Sequence, residues 1–334
     1  MTGRACARAS ANIALAKYWG KDDVLRNLPA VPSLSLTLAD LYTVTRVSFD
    51  ATLSEDVLEI SGVAQTGRAK ARASELLDRA RALGSERRYA RVETHNNFPT
   101  ASGLASSASG FAALALAATR AAGLTLPLSD VSAMARQSSA SAARSLFGGW
   151  VALDHGAESA RRVAPPEALD VRMVVAVTHP GPKSVGSTEG MQHTATTSPY
   201  YAAWIAHAPE LFRQVEVALT GGDLDALGEA AAQSALMMHA CMWAARPPLI
   251  YFRPATLGVL QAIAELREQG VRAFPTMDAG PHVKVLVPAA DADAVEARVR
   301  QVEGVTGSLQ AAPGPDARLI DDDEADLSLT PGAP

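Results

Sequence analysis

The chain has 334 residues, 48% hydrophobic and 19% charged, with a formal net charge of −5, the balance of an ordinary globular protein with room for one large domain or two of about 150 residues each. From Ala311 to Pro334 six acidic residues stand against one arginine, so this tail carries the whole −5 and the body is formally neutral. A neutral body lacks the basic stripe that grips a phosphate backbone, which argues against nucleic acid as a partner.

At the N-terminus the only apolar stretch runs from Ala11 to Ala16 before Lys17 and Lys21. That is too short for a signal core or a membrane span. Cys6 and Cys241 are the only cysteines and form no C-x-x-C, which suits a reducing compartment. The expectation is a cytoplasmic protein with no membrane partner. Residues 5 to 62 alternate short apolar runs with turns and read as strands of an antiparallel sheet. A polar, Arg-rich helix is expected over Gly67 to Leu83, then a strand in "YARVETHNNF". Gly103 to Gly123 is apolar on every side and marks a buried helix. Ser129 or Asp130 is the expected cap of a helix through "VSAMARQ". "VRMVVAVTH" reads as a buried strand, and the Pro/Gly/Ser-rich "PGPKSVGSTEG" sets a domain boundary near residue 180. Beyond it lies a largely helical region. "TLGVLQAIAELREQG" has Thr256 as its expected N-cap and Gly270 as its stop, and "VRAFPTM" and "HVKVLV" are strands around the turn "DAGP". The expected division is 1–180, 181–311 and an acidic, disordered tail at 312–334.

Neither G-x-G-x-x-G nor G-x-x-x-x-G-K-[ST] occurs, and the seven histidines are scattered without zinc-ligand spacing. Four stretches can carry chemistry. In "PTASGLASSASG" the N–H groups from Gly103 to Ala108 and the hydroxyls of Ser102, Ser106 and Ser107 suit a phosphate or Mg²⁺ at a helix start. The same stretch fits a Ser-capped buried helix equally well. "KYWGK" sets Lys17 and Lys21 around Tyr18 and Trp19, either as a solvated basic turn or as a holder of an anionic substrate. "SSASAARS" offers Ser139 and Ser141 near a new helical turn, with the planar fork of Arg144 one turn on. Asp278, at a strand end in "TMDAGPHVKV", is a turn former or a rigidly presented base. Of the 30 basic residues only five are lysine, namely Lys17, Lys21, Lys70, Lys183 and Lys284; three lie in these stretches and Lys183 in "PGPKSVGSTEG".

Taken in order, "NIALAKYWGKDD", "SLSLTL", "NNFPTASGLASSASGFAALALA", "RQSSASAARSLFGGW", "STEGMQHTATTSPYY" and "TMDAGPHVKVLV" resemble the mevalonate diphosphate decarboxylase family of the GHMP kinase superfamily, over nearly the whole chain. The resemblance implies an α+β, GHMP kinase fold. In it a ribosomal protein S5 domain 2-like N-terminal domain and a ferredoxin-like C-terminal domain enclose the active site in a cleft. It implies 3-O-phosphorylation of mevalonate 5-diphosphate by ATP with Mg²⁺, then loss of phosphate and CO₂ to leave isopentenyl diphosphate. It also implies a homodimer.

Carried over by motif, Asp278 orients or deprotonates the 3-hydroxyl, Lys17 stabilises Asp278 and the transferring group, and Arg144 holds the substrate carboxylate. Tyr18, Trp19, Lys21, Ser139, Ser141 and Met191 hold the diphosphate. Ser102, Gly103, Leu104, Ala105, Ser106, Ser107 and Ser187 take the ATP phosphates, with Mg²⁺ on Ser106. The chain departs from the family at Val31-Pro32, where Asn-Ser is usual, at Ser138 and Ala140, where glycines are usual, and at His282, where Asn is usual. These departures fall on binding surfaces and keep open a substrate with one 5-phosphate, or phosphorylation without decarboxylation. A catalytically silent nucleotide- or metabolite-binding regulator is a third possibility, but one expected to have lost Asp278 or Arg144.

Overall fold

In "SLSLTLADLYTVTRVSFD" hydroxyl and apolar residues alternate, the period of a strand with two different faces. Ser33–Asp50 is a single 18-residue strand, the spine of the larger sheet. The computed structural model describes residues 3–98, 106–179, 181 and 185–325. Its strands are β1 (Arg4–Ala16), β2 (Lys21–Asp23), β3 (Leu28–Pro29), β4 (Ser33–Asp50), β5 (Val57–Ile60), β6 (Val63–Ala64), β7 (Tyr89–Asn96), β8 (Trp150–Leu153), β9 (Arg161–Ala164), β10 (Val171–Val177), β11 (Phe274–Met277), β12 (Val283–Pro288), β13 (Gly307–Ala311) and β14 (Arg318–Ile320). Its helices are α1 (Gly67–Gly84), α2 (Ser106–Ala121), α3 (Leu128–Ser138), α4 (Ser187–Thr197), α5 (Tyr201–Thr220), α6 (Leu224–Trp243), α7 (Pro254–Glu268) and α8 (Ala292–Arg300), with a 3₁₀ segment at Ala140–Leu146.

The larger sheet runs β14-β1-β4-β7-β5-β6, and β8 and β9 extend it from β4. All its pairings are antiparallel except β5 with β7. The second sheet runs β11-β12-β10-β13. The alternation in β4 sorts its side chains. Leu34, Leu36 and Leu38 join Ile13 and Leu15 in a core shared with Met173, Phe212, Val215, Phe274 and Leu286. That apolar cluster spans both sheets, so the two halves meet across a continuous core. The hydroxyls of Ser33, Ser35 and Thr37 take the opposite face, beneath the 3₁₀ segment, where they meet Arg144 and the Phe147 carbonyl. The helix from Ser106 is buried along most of its length, as an apolar circumference requires.

Several expectations need correction. β10 lies inside the second sheet, so the hand-over between sheets precedes Val171 and the loop near 180 is not the divide. α3 begins two residues ahead of a cap at Ser129, with Pro127 at its N-cap and its carbonyl taking the Asp130 and Val131 N–H groups. Thr256 is the third residue of α7, not its cap; its hydroxyl accepts from the Arg253 N–H. The acidic tail is ordered as far as Ala325. β14 pairs with β1, Pro313 bridges to Leu38, and Asp316 accepts from the Gly148 N–H at 2.7 Å. Buried Ala317, Ile320 and Ala325 explain why. Composition alone counts the charges and misses the three apolar residues that anchor them.

Deleting residues 312–334 removes β14, these contacts and the burial of Ile320, a residue type worth about 1.5–3 kcal/mol when buried. A thermal melt is expected to fall by at least about 5 °C. An unchanged midpoint would mean the tail is not part of the fold.

Candidate active site

Lys17 leaves the end of β1 and Asp278 leaves the end of β11, and the two meet with Nζ 2.7 Å from Oδ1. Lys284, on β12 opposite Thr276, approaches the other carboxylate oxygen at 3.1 Å. Residues 276 and 278 share a face of the pleat, which is why a lysine across from 276 reaches the carboxylate diagonally. Both ammonium side chains are buried, at 1% and 0% exposure, while the Asp278 side chain keeps 27%. The carboxylate is therefore the accessible member of a buried triad. Burial pushes its pKa up, but Lys17 and Lys284, charged and hydrogen-bonded to it, more than offset this and hold it well below the usual carboxylate range. Lys17 is lowered to about 8, chiefly by burial, with Lys284 and Arg144 adding repulsion against the pull of Asp278. Its Nζ also donates to the Ala14 carbonyl at 2.7 Å.

Arg144 sits in the 3₁₀ segment, 2% exposed. Its Nη1 donates to Ser33 Oγ at 2.6 Å and its Nε to Ser35 Oγ at 3.0 Å and Asn12 Oδ1 at 3.4 Å. No carboxylate among the described residues forms an ion pair with it, and burial pushes its pKa down to about 10. A buried guanidinium held only by neutral acceptors is aimed but not neutralised, and favours an incoming anion. Asn12 also donates to the Ser141 carbonyl and Ser145 Oγ, and Ser139 and Ser141 share a 3.1 Å hydroxyl contact.

Asn12, Lys17, Ser139, Ser141, Arg144 and Asp278 line one cavity of about 560 Å³ with Tyr18, Trp19, Lys21, Arg68, Arg72, Ser106, Ser107, Ser138, Ala140, Ser187, Thr188, Met191 and Met238. Asp278 is the one carboxylate among its lining residues, against the cations Lys17, Lys21, Arg68, Arg72 and Arg144. In a formally neutral body this is a local concentration of positive potential built for an anion. Lys21 reaches Thr188 Oγ1 at 3.4 Å. Gly20 makes this possible: its φ is +110° and a Cβ there would lie 2.2 Å from the Tyr201 hydroxyl. Trp19 consequently turns into an apolar cluster with Val31 and Met191, while Lys21 turns to the cavity. Trp19 and Met191 thus build an apolar wall. The Tyr18 hydroxyl is buried without a partner among the described residues, and burial raises its pKa, so it remains a donor.

Of the expected site, Lys17, Tyr18, Trp19, Lys21, Ser106, Ser107, Ser139, Ser141, Arg144, Ser187, Met191 and Asp278 come together here. Ser102, Gly103, Leu104 and Ala105 lie outside the described residues. Sequence reasoning missed Asn12, Ser33, Ser35, Lys284, Arg68 and Arg72. The i, i+4 spacing of Arg68 and Arg72 on α1, the hydroxyl alternation of β4 and the scarcity of lysine were the available signals. Of the departures, Ser138 and Ala140 line the cavity and also make contacts behind it. Ser138 Oγ accepts from Arg79 at 3.2 Å and its carbonyl from Arg72 at 2.7 Å. Ala140 packs with Val151 and Leu153. His282 Nδ1 accepts from the Thr178 N–H at 3.1 Å, and Val31 packs with Trp19.

The model of the diphosphomevalonate decarboxylase-like N-terminal domain matches residues 9–164, and that of the mevalonate 5-diphosphate decarboxylase C-terminal domain matches 173–318. The diphosphomevalonate decarboxylase of Candida albicans is 34% identical over 87% of this chain and 86% of its own. The chain belongs to the diphosphomevalonate decarboxylase family. Within it, the phosphomevalonate decarboxylase of Haloferax volcanii is 33% identical over 96% of this chain and 99% of its own. The solved structure of MDDEF in complex with MVAPP, AMPPCP and magnesium overlays with a TM-score of 0.88 at 37% identity, covering 96% of this chain and 99% of that one. The fold is therefore the two-domain α+β GHMP kinase fold of diphosphomevalonate decarboxylases, with the cavity where its halves meet.

Replacing Lys284 by Gln removes one of the two charges that depress the Asp278 carboxyl. The acid limb of the kcat/KM profile is expected to move up by about one pH unit or more, since activity is lost as pH falls through the Asp278 pKa. An unmoved limb would show that Lys284 does not act on the carboxylate.

Proposed function

We propose that the chain carries out ATP-dependent decarboxylation of mevalonate 5-diphosphate to isopentenyl diphosphate. The observation that carries the reading is the pairing, in one cationic cavity, of a carboxylate clamped by two buried ammonium groups with a buried arginine that forms no ion pair among the described residues. The substrate has three matching features: a carboxylate, a tertiary alcohol and a phosphorylated end. Arg144 holds the carboxylate with the planar fork that suits it. Asp278 accepts the hydrogen bond of the 3-hydroxyl and so fixes the angle of that oxygen. Tyr18, Lys21, Ser139 and Ser141 hold the diphosphate, backed by Arg68, Arg72 and the wall of Trp19 and Met191.

A carboxylate held so far below its ordinary range is a weak base toward a ground-state alcohol. Asp278 therefore orients first and takes the proton late, once bonding to phosphorus has made the hydroxyl acidic. Lys17 and Lys284 offset the negative charge that gathers beside it, so the protein acts by positioning and charge neutralisation. A tertiary alcohol leaves poorly but its phosphate ester leaves well. When phosphate departs, the electrons of the carboxylate's C–C bond form the new double bond and CO₂ is released.

Ser106, Ser107 and Ser187 at the starts of α2 and α4, with Ser102 to Ala105, would hold the ATP phosphates. No group of three or more His, Cys, Asp or Glu side chains among the described residues is placed to hold a metal. A hydroxyl such as Ser106 with phosphate oxygens fits Mg²⁺, which keeps most of its water and spreads phosphate charge. A homodimer, which rests on the family resemblance, and a cytoplasmic location, which rests on two cysteines without a C-x-x-C, belong to the same proposal.

The Haloferax volcanii relative keeps a second reading in view, decarboxylation of mevalonate 5-phosphate. Against it, the Lys21 end of the cavity also carries Arg68 and Arg72, positive charge that suits a diphosphate. Incubation with ATP, Mg²⁺ and mevalonate bearing no, one or two 5-phosphates is expected to yield equal ADP and CO₂ from the diphosphate alone. Products from the monophosphate would establish the second reading, and ADP without CO₂ would make the chain a kinase. Asp278→Asn is expected to abolish turnover while leaving ATP binding within about threefold, because the nucleotide contacts lie elsewhere in the cavity. Near-normal turnover would remove Asp278 from its role. With Lys17 at about 8, kcat/KM is expected to fall as pH rises through that value. In kcat the limb should lie higher, because bound anions stabilise the ammonium.

A further inference from the structure

Lys17 and Asp278 come from different sheets, and an ion pair between a four-carbon stem and a carboxylate does not by itself fix the separation of two backbones. Both backbones are tied to one helix. Ser234 Oγ on α6 accepts the Lys17 backbone N–H at 2.9 Å. Five residues along, His239 Nε2 lies 3.1 Å from the Asp278 backbone carbonyl. Both side chains are buried, at 1% exposure each, and the intervening Met238 lines the cavity.

We infer that Ser234 and His239 are positioning residues that set the geometry of the Lys17–Asp278 pair from a single rigid helix, an inference that rests on the catalytic reading of that pair. Five residues of α-helix fix a rise of about 7.5 Å, so the two anchor points are a built-in spacer. A carbonyl only accepts, so His239 donates from Nε2 and Nδ1 is the bare nitrogen; Nδ1 is buried without a partner among the described residues. The ring is held by Phe252, with centroids 4.5 Å apart, and Phe252 in turn meets Trp243 edge-on. Burial and the Lys17 charge push the His239 pKa down to about 3, so the imidazole stays a neutral donor across the working range. The Gly280 N–H also donates to the Asp278 carbonyl, at 2.7 Å, and the hydroxyls of Thr178 and Thr256 both reach the Pro281 carbonyl, so the whole "DAGP" turn is pinned.

The test uses the full chain, ATP, Mg²⁺ and mevalonate 5-diphosphate, with thermal melts in parallel. His239→Gln carries an amide N–H to where Nε2 lies; His239→Asn is a similar amide that falls short. His239→Asn is expected to lose at least about tenfold in kcat, with both KM values within about threefold, and His239→Gln to recover most of it. Ser234→Ala is expected to lose about three- to tenfold in kcat by the same split. Around Lys17 the charged groups are Asp278, Lys284 and Arg144. A loosened Asp278 weakens the one that raises its pKa, so the alkaline limb should move to lower pH in His239→Asn and not in His239→Gln. Equal activity in the Asn and Gln variants, or a loss confined to KM, overturns the inference. If His239→Asn does not fold, Ser234→Ala decides, and an unchanged kcat there overturns it. Asp278→Asn separates the two claims. Near-normal turnover in that variant sinks the catalytic reading, whereas a dead Asp278→Asn beside fully active Ser234 and His239 variants sinks only the spacer.

Discussion

Everything at the site depends on two buried ammonium groups converging on one accessible carboxylate. Lys17 and Lys284 are almost fully enclosed, and an enclosed charge without a partner costs several kcal/mol. Asp278 offsets part of that cost, and its own ionisation is secured in return. One carboxylate does not balance two ammonium groups, however, and Arg144 adds a third positive charge with no ion pair among the described residues. The excess is what the cavity offers to an anionic substrate. Stability and function therefore pull in different directions here, as they commonly do where binding charge is stored in advance.

The fold serves this arrangement through two simple periodicities. Alternation along β4 sends leucines to the core that joins the two sheets and hydroxyls to the guanidinium of Arg144. The pleat of β11 and β12 sets Lys284 diagonal to Asp278. Neither lysine needs a loop to aim it, so the triad inherits the rigidity of strand ends. The phosphate end differs. It is assembled from helix starts and from Lys21 on a short hairpin whose entry needs the left-handed Gly20.

Much of this was legible in the chain. Six ordered stretches carried the fold family and brought Lys17, Lys21, Ser139, Arg144 and Asp278 to one place, because each lies beside a turn or strand end that its own residues dictate. What stayed hidden depended on pairing between distant segments. Lys284 sits in an apolar strand and declares itself only through register with β11. Ser33 and Ser35 look like ordinary strand hydroxyls until the 3₁₀ segment lands on them. The tail read as disordered because it is acidic and rich in Pro and Gly, yet Ile320 needs only one strand edge to dock. Ser138 and Ala140 line the cavity, yet the Ser138 hydroxyl meets Arg79 and the Ala140 methyl packs with Val151 and Leu153, contacts that depend on side-chain direction.

The central claim is that one cavity divides its labour: Arg144 for the carboxylate, Asp278 for the 3-hydroxyl, and the Lys21 end for the diphosphate. A crystal structure of this chain with mevalonate 5-diphosphate bound tests it most directly. The account predicts the 3-hydroxyl within hydrogen-bond distance of Asp278, the carboxylate on the Arg144 guanidinium, and the diphosphate against Lys21, Ser139 and Ser141. A substrate bound in reverse, with its diphosphate on Arg144 or its 3-hydroxyl out of reach of Asp278, would contradict it.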